Sequence, residues 1–305
     1  MIEFLHILQN IRCGALNIFF QLCTYLSQEV IVFAIAGWIL WCKDKKFGYR
    51  IVFSYFLSCI PVQILKLVFR IDRPWIIDPT LKPVDSAVKA ATGYSFPSGH
   101  TQCAVSAYGS IALFLRKKWI TVISVTAIVL VGFSRMYLGC HTPADVLTSA
   151  AVSLIVIFSV DFVMRHITFS PLMDWCFMII GELVCVGMIL YFNSLIASGL
   201  TTPELAADGY KIAGGSMAFF AGWLIDKHYI NFRPETGTLS QKLIRIAVGG
   251  AVLLLVMTVG KKLLGNTISG NFIRYFIISA WIFAIYPLIV KTVRKDDYSE
   301  TEAAS

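Results

Sequence analysis

Residues 119–145 read WITVISVTAIVLVGFSRMYLGCHTPAD, and the stretch falls into two unlike halves. Trp119–Phe133 carries no charge. A run of this kind reads as a bilayer crossing, for which a helix needs about 20 mostly apolar residues. Backbone left unpaired is not tolerated in lipid, so the helix is its natural state. The second half crowds Arg135, His141 and Asp145 into the residues that follow. Chemistry-bearing side chains therefore gather where a span ends.

Eight further apolar runs flank this stretch: Glu29–Cys42, Ile51–Phe69, Gly99–Leu115, Ala144–Met164, Trp175–Ile196, Tyr210–Ile225, Leu243–Val259 and Phe272–Val290. Glu29–Cys42 and Tyr210–Ile225 are short and need flanking residues to cross. The chain is 57% hydrophobic and 14% charged, against about 25% charged in soluble domains. The expected fold is all-α, a polytopic transmembrane helix bundle of about nine spanning helices. Its expected parts are an interfacial N-terminal segment (1–28), a helix bundle carrying the polar clusters (29–168), additional transmembrane helices (169–293) and a disordered tail (294–305).

The net charge of +8 is scattered between apolar runs, with no basic stripe interleaved with aromatics, which argues against a nucleic-acid partner. Lys43, Lys45, Lys46 and Arg50, then Arg116, Lys117 and Lys118, then Arg165, then Lys227, Arg233, Lys242 and Arg245, then Lys291, Arg294 and Lys295 fall in alternate loops. Positive loops face the cytoplasm, so the N-terminus is expected outside and the C-terminus inside. The eight cysteines show no CxxC spacing, so neither a zinc site nor a disulfide framework is expected. Cys140, beside His141, reads as a small filler. The N-terminus lacks the basic n-region of a cleaved signal peptide.

Three polar clusters carry chemistry. Lys66 and Arg73-Pro74 lie seven residues apart, which returns the two cations to nearly one helix face. A charge on lipid-facing surface is costly, so Lys66 should face a polar interior; the plain alternative is snorkelling to the headgroups. Pro97-Ser98-Gly99-His100 opens the next run. Ser98 is a good helix N-cap, and free N–H groups at a helix start bind anions. Gly99 allows close approach to the backbone, and His100 is placed to give a proton to a leaving oxygen. The third cluster is Ser134-Arg135, His141 and Asp145. His141 and Asp145 share a face if helical. Asp145 reads either as a capping-box carboxylate behind Thr142-Pro143 or as the acceptor of the His141 Nδ1–H, which raises the nucleophilicity of the other nitrogen. Arg135 offers a planar fork to phosphate oxygens. Phosphoryl transfer needs such cations on the equatorial oxygens and a nucleophile in line with the leaving group.

These residues resemble the type 2 phosphatidic acid phosphatase superfamily, whose signatures Lys-x6-Arg-Pro, Pro-Ser-Gly-His and Ser-Arg-x5-His-x3-Asp all occur here, in order, from Lys66 to Asp145. The resemblance covers about the first half of the chain. It implies a phosphatase that needs no metal and no cofactor. His141 would be the nucleophile, forming a phosphohistidine, with Asp145 orienting it and His100 protonating the leaving group. Lys66, Arg73, Ser98, Gly99 and Arg135 would hold the phosphate. The implied setting is a bacterial plasma membrane, with the site on the outer face and a lipid phosphate as partner.

Nine spans with the N-terminus outside also look like the glucose-6-phosphatase branch, in topology only. The residues leave three readings open: hydrolysis of a lipid phosphate such as undecaprenyl diphosphate, hydrolysis of a soluble sugar phosphate, and a lipid carrier or transporter without hydrolysis. Glu182, inside a C-terminal run, reads as a structural hydrogen-bond donor. Lys227 to Arg233-Pro234 imitates the first cluster, but it is one residue short and no Ser-Gly-His follows it. Its better reading is a positive-inside loop.

Overall fold

The computed structural model describes residues 1–293, so the tail read as disordered, 294–305, lies outside the described residues. No strand occurs among the described residues. The helices run α1 (Ile2–Asn10), α2 (Gly14–Tyr25), α3 (Glu29–Cys42), α4 (Lys45–Phe69), α5 (Pro74–Ile77), α6 (Asp85–Val88), α7 (Gly99–Ala104), α8 (Ser110–Leu115), α9 (Lys118–Tyr137), α10 (Pro143–His166), α11 (Pro171–Ala197), α12 (Pro203–Ile225), α13 (Leu239–Leu264), α14 (Ile268–Ala280) and α15 (Tyr286–Val293). Turns of π-helix at Val105–Gly109 and Trp281–Ile285 join α7 to α8 and α14 to α15. Polar caps start several of these helices. Thr142 with Asp145 and Thr238 with Gln241 form capping boxes, and Thr267 accepts from the Gly270 N–H.

The protein is a polytopic helical bundle. Six helices are long and apolar enough to cross a membrane, or seven if α2 and α3, bent by 41°, count as one broken span. The expected count was about nine, and three of the nine runs account for the difference. At 1.5 Å per residue, α3 with its 14 residues reaches only about 21 Å. The continuous helix Gly99–Leu115 reaches about 26 Å, short of a hydrocarbon layer about 30 Å thick. The third, α12, is long enough, but Glu204, Asp208 and Lys211 occupy its first turns.

Two compact units divide the chain. The first comprises Met1–Phe33, Arg50–Ile167 and Leu195–Asp208. Within it α2 packs along α9, and α7 with its π-turn packs against α9 and α10. Leu5 and Leu8 of α1 are buried with Leu81, Ala87, Tyr137, Leu138 and Cys140. This cluster clamps the two loops that carry the motifs. Polar ties add to it: Arg12 Nε donates to the Tyr137 carbonyl at 2.9 Å, and Arg12 Nη1 donates to that of Lys82. The Val84 N–H reaches the Leu138 carbonyl at 3.0 Å. Buried Ser58, Ser106 and Gln102 join α4 to the α7 helix, with Ser58 Oγ and Ser106 Oγ 2.6 Å apart.

Among the described residues, the second unit comprises Ala34–Tyr49, Thr168–Ser194 and 209–293. Aromatic contacts hold its helices together, among them Phe177 on Phe220 and Phe219 on Phe283. A Cβ on Gly249 would lie 2.5 Å from the Trp41 ring and 2.7 Å from Tyr286, so only glycine admits this approach. Buried Asp226 takes Lys45 Nζ and the Tyr49 hydroxyl, each at 2.7 Å.

Candidate active site

All eight candidate site residues lie in the first unit. They sit at helix ends: Lys66 in the last turn of α4, Arg135 in the last turn of α9, Ser98 to His100 at the start of α7, and Asp145 in the first turn of α10. His141 lies between α9 and α10. The chain reverses there through Gly139, whose φ of +79° favours glycine. The N–H groups of Cys140 and His141 both return to the Arg135 carbonyl, at 3.0 and 3.2 Å, and this fixes the imidazole relative to that arginine.

Arg73 and His141 are in direct contact, with Arg73 Nη1 2.9 Å from His141 Nε2. A guanidinium has no acceptor, so Nε2 must carry the lone pair and Nδ1 the proton. Asp145 Oδ2 lies 3.4 Å from Nδ1, at the long end of hydrogen bonding. The same oxygen accepts from the Thr142 N–H at 2.8 Å and from the Ser95 hydroxyl at 2.6 Å. Asp145 is thus a capping-box carboxylate that also lies beside the imidazole. Burial, and next the Arg73 charge, push His141 well below the usual imidazole range.

The cations are held by neutral acceptors. Arg73 Nε and Nη2 donate to the carbonyls of Gly93 and Thr92 at 3.1 and 2.5 Å, and Nη1 also meets the Cys140 carbonyl at 3.1 Å. Lys66 Nζ donates to the Tyr94 carbonyl at 2.7 Å, buried rather than snorkelling. Arg135 is fully buried. Its Nη1 reaches Thr24 Oγ1 at 3.4 Å, while Nε and Nη2 have no hydrogen-bond partner among the described residues. Leaving a buried N–H unpaired costs about 1–3 kcal/mol, and more when the group is charged, so they are arranged for an acceptor. An anion is the acceptor that this chemistry suits.

Ser98 caps α7, its Oγ accepting from the Thr101 N–H at 3.4 Å and the Thr101 hydroxyl at 3.1 Å. Neither bond uses the Ser98 hydroxyl proton. Its backbone N–H donates to the Asp145 carbonyl at 3.1 Å, which ties the second cluster to the third. A Cβ built on Gly99 would meet nothing within 4 Å, so open space lies at this helix start. Gly99 and His100 are half-buried, whereas the other six residues are buried. His100 stands within electrostatic reach of Arg135, His141, Arg73 and Lys66.

Sequence reasoning missed three contributors: Ser95 on Asp145, Thr24 on Arg135, and the carbonyl run Thr92–Tyr94 that carries Arg73 and Lys66. Only Ser95 stood near a signal, three residues before Ser98.

Comparison with known proteins agrees with the motif reading. The profile of the PAP2 superfamily matches residues 47–169, and a second, described as the PAP2 superfamily phosphatase transmembrane extension, matches residues 210–296. An undecaprenyl-diphosphatase of Sulfolobus acidocaldarius is 30% identical over 130 residues, which is 41% of this chain and 59% of that protein. Phosphatidylglycerophosphatase B of Bacillus subtilis is 32% identical over 123 residues, 37% of this chain and 60% of that protein. A Dictyostelium discoideum protein with the name "Probable sphingosine-1-phosphate phosphatase" is 25% identical over 240 residues, 72% of this chain and 57% of that protein. The chain thus spans between 57% and 60% of the length of these curated relatives. No solved structure matches.

Proposed function

We propose, for a chain that belongs to the PAP2 superfamily, a membrane phosphatase that hydrolyses a lipid phosphate or polyprenyl diphosphate through a phosphohistidine at His141. The observation that carries this reading is the tautomer imposed by Arg73, which leaves the lone pair of His141 on Nε2, inside the cationic pocket. When phosphate enters, Arg73 Nη1 exchanges Nε2 for a phosphoryl oxygen. Lys66 and the unpaired Arg135 nitrogens take the other equatorial oxygens, with the Ser98 hydroxyl and the start of α7 behind them.

The chemistry balances in two steps. Nε2 of His141 bonds to phosphorus as the bond to the leaving oxygen breaks, and His100, which takes up a proton as the phosphate dianion offsets the surrounding cations, gives that oxygen its proton. Asp145 supports the imidazolium-like ring through Nδ1–H. Water then attacks the phosphohistidine, and the N–P bond breaks. His100 takes the proton of the water, and free phosphate leaves.

A lipid substrate is supported by the position of the site at the ends of apolar helices, level with headgroups if those helices span. The relatives named above, all phosphatases of amphiphilic phosphates by name, support it too. We further propose nine crossings, with the bent α2–α3 pair, Gly99–Leu115 and α12 added to the six long helices. The N-terminus and the site then face outward from a bacterial plasma membrane and the basic loops face the cytoplasm.

The test is phosphate release by purified protein in EDTA, from undecaprenyl diphosphate, phosphatidic acid, phosphatidylglycerophosphate and glucose 6-phosphate, beside His141→Ala. Release from at least one lipid, lost in His141→Ala, is expected. Faster turnover of glucose 6-phosphate than of every lipid would overturn the lipid assignment. Full activity in His141→Ala would overturn the mechanism.

A further inference from the structure

Residues 170–209 match neither family profile, yet part of that stretch, Leu195–Asp208, belongs to the same compact unit as the site. Its contacts fall on one short piece of backbone. Three consecutive carbonyl oxygens, those of Thr92, Gly93 and Tyr94, hold Arg73 Nη2, Arg73 Nε and Lys66 Nζ. Two of the phosphate-site cations are thus aimed by a loop rather than by a helix, and a loop transmits its own position to them. The loop is fastened from outside the matched region. Thr92 Oγ1 donates to Asp208 Oδ2 at 2.5 Å, and the Tyr94 hydroxyl lies 3.2 Å from Thr201 Oγ1. Gly93, between them, has φ +62°, and a Cβ there would come within 3.2 Å of the Leu205 carbonyl. The loop therefore lies close against the start of α12, in a backbone conformation and at a distance that favour glycine.

We propose that Asp208 is a positioning residue for the phosphate site, holding Thr92 so that the carbonyls of residues 92–94 set Arg73 and Lys66 at the phosphate. Asp208 touches neither substrate nor His141; it acts through the loop. A carbonyl can shift with its peptide far more easily than a carboxylate on a packed helix, so an arginine aimed by three carbonyls is only as well placed as the peptides that bear them. The negative charge of Asp208 also lies within reach of both Lys66 and Arg73. The segment before the transmembrane extension thereby becomes part of the phosphate-binding apparatus, and does more than link two sets of helices.

The inference rests on the phosphatase reading, and the experiment separates the two. Phosphate release, inhibition by orthovanadate and thermal midpoint are measured for wild type, His141→Ala, Asp208→Ala, Asp208→Asn, Thr92→Val and the Asp208→Ala/Thr92→Val double variant. Loss of a hydrogen bond to a charged group predicts that Asp208→Ala raises KM and the vanadate inhibition constant about tenfold, with a smaller change in kcat. Asp208→Asn keeps an acceptor for the Thr92 hydroxyl and is expected to recover most of that loss. Thr92→Val should reproduce it, and the double variant should be no worse than either single one. Wild-type KM and vanadate inhibition in Asp208→Ala would overturn the inference. Equal damage in Asp208→Asn, or strictly additive losses in the double variant, would do the same. Wild-type protein that releases no phosphate from any lipid would instead strike the underlying reading.

Discussion

Lys66 with Arg73-Pro74 and Lys227 with Arg233-Pro234 are similar strings, and the partners of their lysines differ in kind. Lys66 Nζ is bonded to a backbone carbonyl, as are Nε and Nη2 of Arg73. Lys227 Nζ is bonded at 2.6 Å to the carboxylate of Asp174, whose other oxygen takes His228 Nε2 at 2.9 Å. Lys227 also lies over the rings of Phe169 and Trp223. A carbonyl satisfies an N–H but leaves the unit charge uncancelled, whereas a carboxylate cancels it. The first region therefore accumulates positive potential around a neutral imidazole, and the second is an ion pair closed on itself. The kind of acceptor separates the candidate site from the second cluster here, although both places hold a lysine near a helix end.

The largest test of that contrast is His141→Ala. Removing a nucleophile costs about 10³-fold or more in kcat, read as phosphate release from the best lipid substrate, and the thermal midpoint should change little by comparison. Retained turnover would mean that the cationic pocket serves binding alone. Arg73→Lys comes next. It keeps the charge but loses the fork that spans three carbonyls and His141 Nε2, and a loss of about 10²-fold in kcat/KM is expected. Near-wild-type activity would show that charge alone suffices, and the distinction between carbonyl-aimed and carboxylate-paired cations would lose its force.

The three motifs were legible because each joins a rare residue type to a local helix signal. Ser98 and Thr142-Pro143 announce helix starts, and Lys66 and Arg135 are cations beside apolar runs. What was not legible is what holds those side chains. Ser95 meets Asp145 across 50 residues, Thr24 meets Arg135 across 111, and Thr92 meets Asp208 across 116. A carbonyl acceptor leaves no trace in sequence, since every residue carries one. Six or seven of the nine expected crossings have the length and hydropathy of a span, and the shortfall has a related reason. Hydropathy finds apolar runs, but a helix such as α12, with Ala213, Phe219 and Phe220 buried, can face protein and tolerate charges in its first turns.

Smaller effects sharpen the first region further. Ser95→Ala removes the shortest bond to Asp145 Oδ2 and should lower kcat about tenfold with KM unchanged, and Ser95→Thr should restore it. Equal loss in Ser95→Thr would point to packing instead of the hydroxyl. The pH dependence follows from His141. Burial and Arg73 hold its pKa well below the ordinary value of about 6.5. The neutral form is the nucleophile, so the acid limb of kcat/KM due to His141 should lie below pH ~6.5. The sign for stability is the same. Below about pH 6.5 the unfolded chain binds a proton that the folded chain refuses, so folding stability falls as pH falls through that range. An acid limb at or above pH ~6.5 that disappears with His141 would contradict the tautomer argument.

The smallest expected effect tests the second region. Lys227→Met removes a cation from a string that matches the site motif but for one residue, and phosphate release should stay within about twofold of wild type. Asp174 is 1% exposed and keeps His228, so its burial without Lys227 should appear in the thermal midpoint. Lys227 itself is 39% exposed, so solvent screening keeps that shift to a few degrees. Lys66→Met is the matched control, with an expected loss of about 10²-fold from a position whose cation has no bonded carboxylate among the described residues. If the two methionine variants lost activity equally, the difference between a lysine on a carbonyl and one on a carboxylate would carry no functional meaning. If only Lys66→Met does, the type of acceptor is enough to tell which of two similar strings binds phosphate.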